Sequence, residues 1–574
     1  MNLPSPAIVT QEAARRLPHW ALLLLCGVYV IVGYVGRAPW KSADIASFGY
    51  MLELLDHNDW RHWLQPTLMG EPADTTAVLP YWLGAWAMQL APTWMAPELA
   101  ARLPFMLLLV GTLAATWYAV SHLARLPSAQ PVTLAFGGEA SPANYARALA
   151  DGGLLALVAT LGLAQFSHET TPALAQLFFS ALCLFSLAAA LTKPWHALAA
   201  LIVGLPGLAL SGAPSFALIE GGLALLGMWS QYGFKAFDTR LRPLVWLGLL
   251  VTLVLTAVLS VELGLMRWQL RWPDTRWSEW RALGRMWVWF LWPASLFALW
   301  TLWRWRRQLI HPWRNPHLSL PVLFVAVPWV TSIFTSAADR ALLLSIPPLA
   351  ALAAFALPTF SRSASALIDW LTVLFFTACM AAIWVIWTSV QTGVPQKPAA
   401  NVARLAPGFE PSFGPIAFVV ALLGTAAWFL LVRWRTGQHR SALWKSLVLP
   451  ASGTVLCWLL LGTLWLPAFD YARSFAPQMQ RVRQVIGDAP CVEVYGLTSA
   501  QVAAVRFHGQ WKPVPASHGP SRCPWLLVDV NAQNHLPASI RQPNWQYLTK
   551  IRRPTDDNET LLIFRRVAKT TDAS

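Results

Sequence analysis

Apolar runs of roughly 18 to 25 residues, each about long enough to cross a ~30 Å hydrocarbon layer, recur from Trp20 almost to Asp470. With charge, Pro and Gly as punctuation, the pattern predicts spans at 19–36, 101–123, 152–168, 172–192, 196–211, 214–232, 243–263, 286–303, 319–337, 342–360, 367–390, 415–432 and 446–467. That is about thirteen transmembrane helices. Between the first two spans, segments 44–56 and 79–90 are too short to cross and carry Trp or Tyr beside polar residues, as helices lying in the interface do. Residues 270–281 form a third element of this kind, with Trp272, Trp277 and Trp280 alternating with Arg271, Arg276 and Arg281. Beyond Tyr471 the rhythm changes: 475–486 has a helical period, while 492–495, 525–529 and 560–565 read as strands. The expectation is an α-helical polytopic membrane domain over 1–467, with its first loop at 37–100, and a small α/β domain over 468–574.

Composition agrees. Of 574 residues 56% are hydrophobic and only 12% charged, with 34 Trp, and the mean hydropathy of +0.46 excludes an ordinary soluble domain. The net charge of +15 raises nucleic-acid binding only until its distribution is considered. Arg15 and Arg16 precede the first span, and Arg240 with Arg242, Arg304 with Arg306 and Arg307, and Arg433 with Arg435 recur at alternate span ends. This positive-inside pattern places the N-terminus in the cytoplasm, and an odd span count places the tail outside, with no role for nucleic acid. Cys26, Cys183, Cys379 and Cys457 lie in apolar runs as small buried thiols, whereas Cys491 and Cys523 in the tail suit a disulfide in an oxidising compartment. Neither cysteine has metal-ligand spacing around it. The first span has no small-residue cleavage signature and reads as a retained anchor. The stretch between Leu126 and Ala150 reads as a flexible connector, and the lack of a phosphate loop argues against a nucleotide-driven pump.

Candidate chemistry concentrates in the first loop. Among Asp44, Glu53, Asp56, Asp59, Glu71 and Asp74, Asp44 lies about seven residues past the first span, near the headgroup level. It is the catalytic candidate, a carboxylate able to take a proton from an acceptor hydroxyl or amine. A helix-capping role, for which Ser42 competes, weighs equally on residue type. His168 and Glu169, between the third and fourth spans, are expected to face the same outer cavity and to position an acceptor, act as a second acid or hold a divalent metal; a solvated turn is the alternative. Glu220 is costly inside a span and shows no partner in the sequence. Cations expected on the outer side, suited to a lipid phosphate, are Arg340, Arg102 and Arg404, then Arg285 and Lys397, with Arg340 also able to pair with Asp339. His508 and Asp529 in the tail read as structural or surface residues.

The order of these motifs carries a resemblance. Asp56-His57-Asn58-Asp59-Trp60, Gly70, Leu79-Pro80-Tyr81-Trp82-Leu83, Ala101-Arg102-Leu103-Pro104, Asp339-Arg340 and Ile346-Pro347-Pro348-Leu349 resemble the bacterial GT-C glycosyltransferases. Within that superfamily the chain is similar to the branch of lipid A aminoarabinose transferases and protein O-mannosyltransferases. The resemblance implies transfer of a sugar from a polyprenyl-phosphate carrier to a lipid, glycan or protein acceptor at the periplasmic face of a bacterial inner membrane. It departs at the chemistry: the register set by Asp59-Trp60 puts Ala43-Asp44 on the family's Asp-Glu pair and Ala46-Ser47 on its Arg-Tyr pair. Thr76-Ala77-Val78-Leu79 replaces a Lys-Pro-Pro-Leu, removing a phosphate-contacting lysine, and Thr171 stands where an Asp is usual. Two main readings follow, a divergent glycosyltransferase and a weakened relative that binds lipid-linked sugar as an accessory subunit. A transporter, third, lacks repeated halves and paired intramembrane charges.

Overall fold

The computed structural model describes residues 5–57, 59–73, 75–190, 192–229, 242–266, 271–273, 276–335, 338–436, 442–516, 523–536 and 545–567. Asn58, Asp74, Arg240, Leu270 and parts of the predicted spans 172–192, 214–232 and 319–337 lie outside them. Contacts divide the chain into two compact units, 1–35 with 103–383 and 415–463, and 36–102 with 384–414 and 464–574.

The first unit is a helical bundle. Among the described residues eight helices are long and apolar enough to cross a membrane, and Trp277–Phe290 with Ala294–Arg304 form a bent pair at 88°. His19–Val32, Pro194–Leu210 and Pro214–Leu226 are shorter apolar helices. The bilayer explains an otherwise untenable surface: Leu367, Leu374, Ile416, Leu423 and Leu430 are each more than 60% exposed. The chain is a multi-pass membrane protein.

Three local differences from the sequence expectation have physical causes. The predicted span 152–168 is carried by Pro142–Ala159 and Leu161–Phe166, the first capped by Ser141 with Pro142 at its start. Asp151, one residue before the predicted start, lies inside the helix, its carboxylate satisfied by the Leu17 N–H at 3.3 Å and Trp117 Nε1 at 2.9 Å. The third interfacial element begins at Trp277 rather than 270 and continues to Phe290, ending before Pro293, which has no N–H to extend the helix. Part of the 126–150 connector is tied down, with Val132 and Ala140 donating to the carbonyls of Ala7 and Val9.

The second unit joins the first inter-span loop to the tail. Helices Ala43–Asp56 and Leu79–Leu90 match the two interfacial segments, and Thr67–Leu68 (β1) pairs with Glu71–Pro72 (β2). Strands Cys491–Tyr495 (β3), Lys512–Pro515 (β4), Trp525–Asp529 (β5), Trp545–Arg553 (β6) and Asp556–Arg566 (β7) form one sheet in the order β4-β3-β5-β7-β6. β3 is parallel to β4 and β5, while β7 is antiparallel to β5 and β6. Leu526, Val528 and Leu562 form its core with Tyr495, Trp545 and Phe564. Cys491 and Cys523 are bonded to each other, their Cα atoms 5.5 Å apart. Helix Ser499–Phe507, closed by a Thr498/Gln501 capping box, packs on Ala43–Asp56. Gly49 permits this, since a Cβ there would stand 2.5 Å from that of Ala503.

Candidate functional site

Within the second unit, residues 37–44 form a buried polar hub. Ser42 precedes helix Ala43–Asp56 without a side-chain cap bond, and Asp44 reaches back instead, its Oδ2 accepting from the Trp40 N–H at 3.0 Å. The same oxygen lies 3.1 Å from Arg37 Nη2. Asp44 is only 1% exposed and Arg37 5%, so the pair is desolvated and each charge depends on the other. Arg102, 2% exposed, donates from Nη1 to the Arg37 carbonyl at 2.6 Å. Asp470 closes the other side, accepting from Trp40 Nε1 at 2.6 Å and the Ala38 N–H at 3.2 Å. Burial pushes the Asp470 carboxyl above the usual range, against those hydrogen bonds and the charges of Arg37 and Arg102. The Trp40 ring has Arg37 4.6 Å from its centroid and Arg473 at 5.5 Å. Asp44 and Arg102 therefore come together through Arg37, in a site that serves the loop's own backbone.

The other described first-loop acids lie apart from this hub. Glu53 and Asp56 receive Arg506 of the tail. Asp59 caps the short helix Trp60–Leu64, accepting from the Arg61 N–H, and Glu71 is exposed on β2. Arg404, on helix Gln396–Leu405, is exposed, as are Lys397 and Arg285.

Within the first unit, His168 and Glu169 diverge. His168 is 1% exposed and turned into the bundle, its Nε2 2.8 Å from the Tyr29 carbonyl and its Nδ1 2.5 Å from that of Ala164. Rings of Tyr29, Tyr34 and Trp458 surround it. Gly33 makes the room, because a Cβ there would meet the imidazole at 2.0 Å. Packing, rather than an exposed cavity, accounts for this residue. Glu169 is 4% exposed and pairs with Arg340 Nη2 at 3.4 Å. Asp339, in the first turn of helix Ala338–Leu343, accepts from the Arg340 N–H at 2.9 Å, and the Arg340 guanidinium goes to Glu169 instead of its neighbour. Arg340 keeps 30% side-chain exposure. A cavity of about 270 Å³ lies among Arg271, Glu279, Met286, Ser332, Thr335 and Ala338, two residues before Arg340. Glu220 finds the hydroxyl of Ser180 at 2.7 Å. Among the described residues no three His, Cys, Asp or Glu side chains gather as metal ligands.

Sequence reasoning passed over Arg37, Lys41, Asp470 and Arg473. The first two had a usable signal, being cations just beyond the first span, on the side that the charge pattern predicts to be outer. Asp470 and Arg473 had none, because only the fold brings the last span's end to the first loop.

The helical bundle, loop helices and terminal sheet make up a fold already seen in solved structures. The chain is similar to crystal structures of ArnT from Cupriavidus metallidurans. With the form bound to undecaprenyl phosphate it shares 15% identity over 96% of this chain and 99% of that one, at a TM-score of 0.59. With the apo form the values are 15%, 95%, 98% and 0.60. No protein-family model matches the sequence, and no curated protein matches it either.

Proposed function

We propose that the protein transfers a sugar from a polyprenyl-phosphate carrier to a lipid, glycan or protein acceptor, at the periplasmic face of a bacterial inner membrane, with its N-terminus cytoplasmic and its tail periplasmic. The observation that carries this reading is near-full-length likeness in fold to an ArnT structure holding undecaprenyl phosphate. In the reaction the acceptor oxygen or nitrogen bonds to the anomeric carbon as the carbon–oxygen bond to the carrier phosphate breaks. The phosphate leaves with the electron pair, and the acceptor gives up a proton. A cation that meets the phosphate is the main requirement. Arg340, partly exposed and two residues along the chain from Ala338 of the cavity wall, suits that role best; Arg404 is accessible, and Arg102 acts through Arg37. Burial and pairing with Arg37 make Asp44 an orienting carboxylate more readily than a base. No resident metal is required by this scheme, although Glu169 offers one carboxylate near Arg340.

The test is reconstitution in vesicles with radiolabelled undecaprenyl-phosphate sugars and candidate acceptors. Transfer is expected from the wild type and from Glu71→Gln, with losses in Arg340→Met and Asp44→Asn. Full activity in Asp44→Asn removes that assignment. The accessory reading draws on the fact that Asp44 is 1% exposed and that Ala43, Ala46 and Ser47 supply no second charge. Tight donor binding without turnover would favour it.

A further inference from the structure

We infer that the tip of the β6–β7 hairpin is a clamp that positions the Asp44 loop for transfer, with Lys41 as the point it grips. The inference deepens the transferase reading and rests on it. Arg553 and Asp556 face each other across the hairpin turn. Arg553 is 2% exposed; its Nε lies 2.6 Å from Glu559 Oε2, and its Nη1 donates to the Ala472 carbonyl at 2.9 Å. Thr555 Oγ1 donates to the same carbonyl at 2.7 Å. Lys41 Nζ donates to Asp556 Oδ2 and lies 3.4 Å from Glu559 Oε1. Its backbone N–H donates to the Arg473 carbonyl at 2.8 Å. Two cations and two carboxylates thus close on one another, while the hairpin holds the Ala472 carbonyl and that of its neighbour Arg473 holds the Lys41 N–H. The Lys41 ammonium keeps the Asp556 carboxyl below its ordinary range, as a formed pair requires.

The consequence for the loop runs through one peptide. Lys41 follows Trp40, whose N–H is bound by Asp44 and whose indole is bound by Asp470. A shift at 41 therefore moves the donor that fixes Asp44, and with it Arg37. Lys41, Asp556 and Arg553 touch no reacting atom in this scheme, so they are positioning residues. Misplacement of about 1 Å by a remote change can lower turnover on the order of a hundredfold.

Lys41→Met, Lys41→Arg and the swap Lys41→Asp with Asp556→Lys would be compared in reconstituted full-length protein. Hydrogen exchange of peptides covering 37–47 is read by mass spectrometry, alongside kcat and donor KM with an undecaprenyl-phosphate sugar. Lys41→Met is expected to speed exchange there and lower kcat about ten- to hundredfold with little change in KM. Lys41→Arg should keep both near wild type, whereas the swap, which turns a carboxylate toward Glu559 and an ammonium toward Arg553, should behave like Lys41→Met. Arg483→Ala, which breaks a surface pair with Asp488, should alter neither. Unchanged exchange in Lys41→Met overturns the clamp, and faster exchange with unchanged kcat overturns its positioning role. A wild type with no turnover on any donor, but with exchange that still responds, retires the transferase reading and leaves the clamp standing.

Discussion

Arg506 offers a direct measure of how firmly the tail holds the first loop. Its guanidinium meets Glu53 Oε2 at 2.5 Å, Asp56 Oδ2 at 2.6 Å and the Leu52 carbonyl at 3.0 Å. The three bonds are not equal. Asp56 is 62% exposed on its side chain and Glu53 19%, so solvent screens the first pair to under about 1 kcal/mol, while the second is worth roughly 1.5 to 3. With about 1 kcal/mol for the carbonyl bond, and the loss offset by freed side-chain entropy, Arg506→Met should destabilise the contact by about 2 kcal/mol. That corresponds to roughly thirtyfold faster hydrogen exchange where local opening governs it. Exchange would be followed in peptides of helices Ala43–Asp56 and Ser499–Phe507, with Glu53→Gln and Asp56→Asn alongside. The ordering expected is Arg506→Met, then Glu53→Gln, with Asp56→Asn close to wild type and the most salt-sensitive pair lost. Equal effects from the two acid variants, or an Arg506→Met change under about threefold, would refute the weighting of burial over pair count.

Other outcomes follow from the same geometry. Burial holds the His508 imidazole down to about 4, against 6.5 ordinarily, so the folded tail resists a proton the unfolded chain accepts. Its contribution is complete above pH 6.5 and declines as pH falls toward 4, by at most about 1.4 kcal/mol per pH unit; His508→Phe should flatten that part of the Tm–pH curve, and an identical slope would contradict this. Breaking the Cys491–Cys523 bond, with a sequence separation of 32, should destabilise the tail by about 3 to 4 kcal/mol on loop entropy, seen as a Tm drop in Cys491→Ser with Cys523→Ser. Gly33→Ala should force the His168 ring aside and cost about 1 to 3 kcal/mol in bundle stability, measured by thermal unfolding in detergent; a neutral variant would mean the ring moves freely.

Much of the fold was legible because its signals are local. Apolar length marked all eight helices that are long enough to span among the described residues, although several of the thirteen expected spans are shorter or bent, and paired aromatic and polar residues marked helices Ala43–Asp56 and Leu79–Leu90 to within a residue. The misses have two causes. β4 reads Lys512-Pro513-Val514-Pro515, which looks like a loop, yet it is an edge strand where Pro loses little. β6 lies on the opposite edge with exposed polar positions that blur its alternation. The site was less legible because its partners are far apart in sequence: Trp40 and Asp470 are 430 residues apart, Lys41 and Asp556 515. No periodicity reports such pairings. His168 illustrates the converse error, since a histidine in a short turn looked accessible, and only the absence of a Cβ at Gly33 admits it to the core.

Several of the residues that carry the family resemblance serve the structure. Asp59 caps a helix, Tyr81 is 2% exposed against Tyr50, and Arg102 supports the Arg37 carbonyl from a buried position. A frame that serves packing and hydrogen bonding is the same whether or not the chain transfers sugar, so the frame supports the fold and is neutral on activity. Activity has to be argued from groups whose charge is not consumed by the frame. Asp44 fails that criterion in isolation, because Arg37 and the Trp40 N–H occupy the same oxygen. Arg340 meets it better, with one carboxylate at 3.4 Å and nearly a third of its side chain exposed. If transfer occurs, its dependence on Arg340 should appear chiefly as lost donor interaction, and its dependence on Asp44 and Lys41 chiefly as lost turnover. That division between binding and positioning separates a working active site from a retained scaffold more sharply than any single inactive variant.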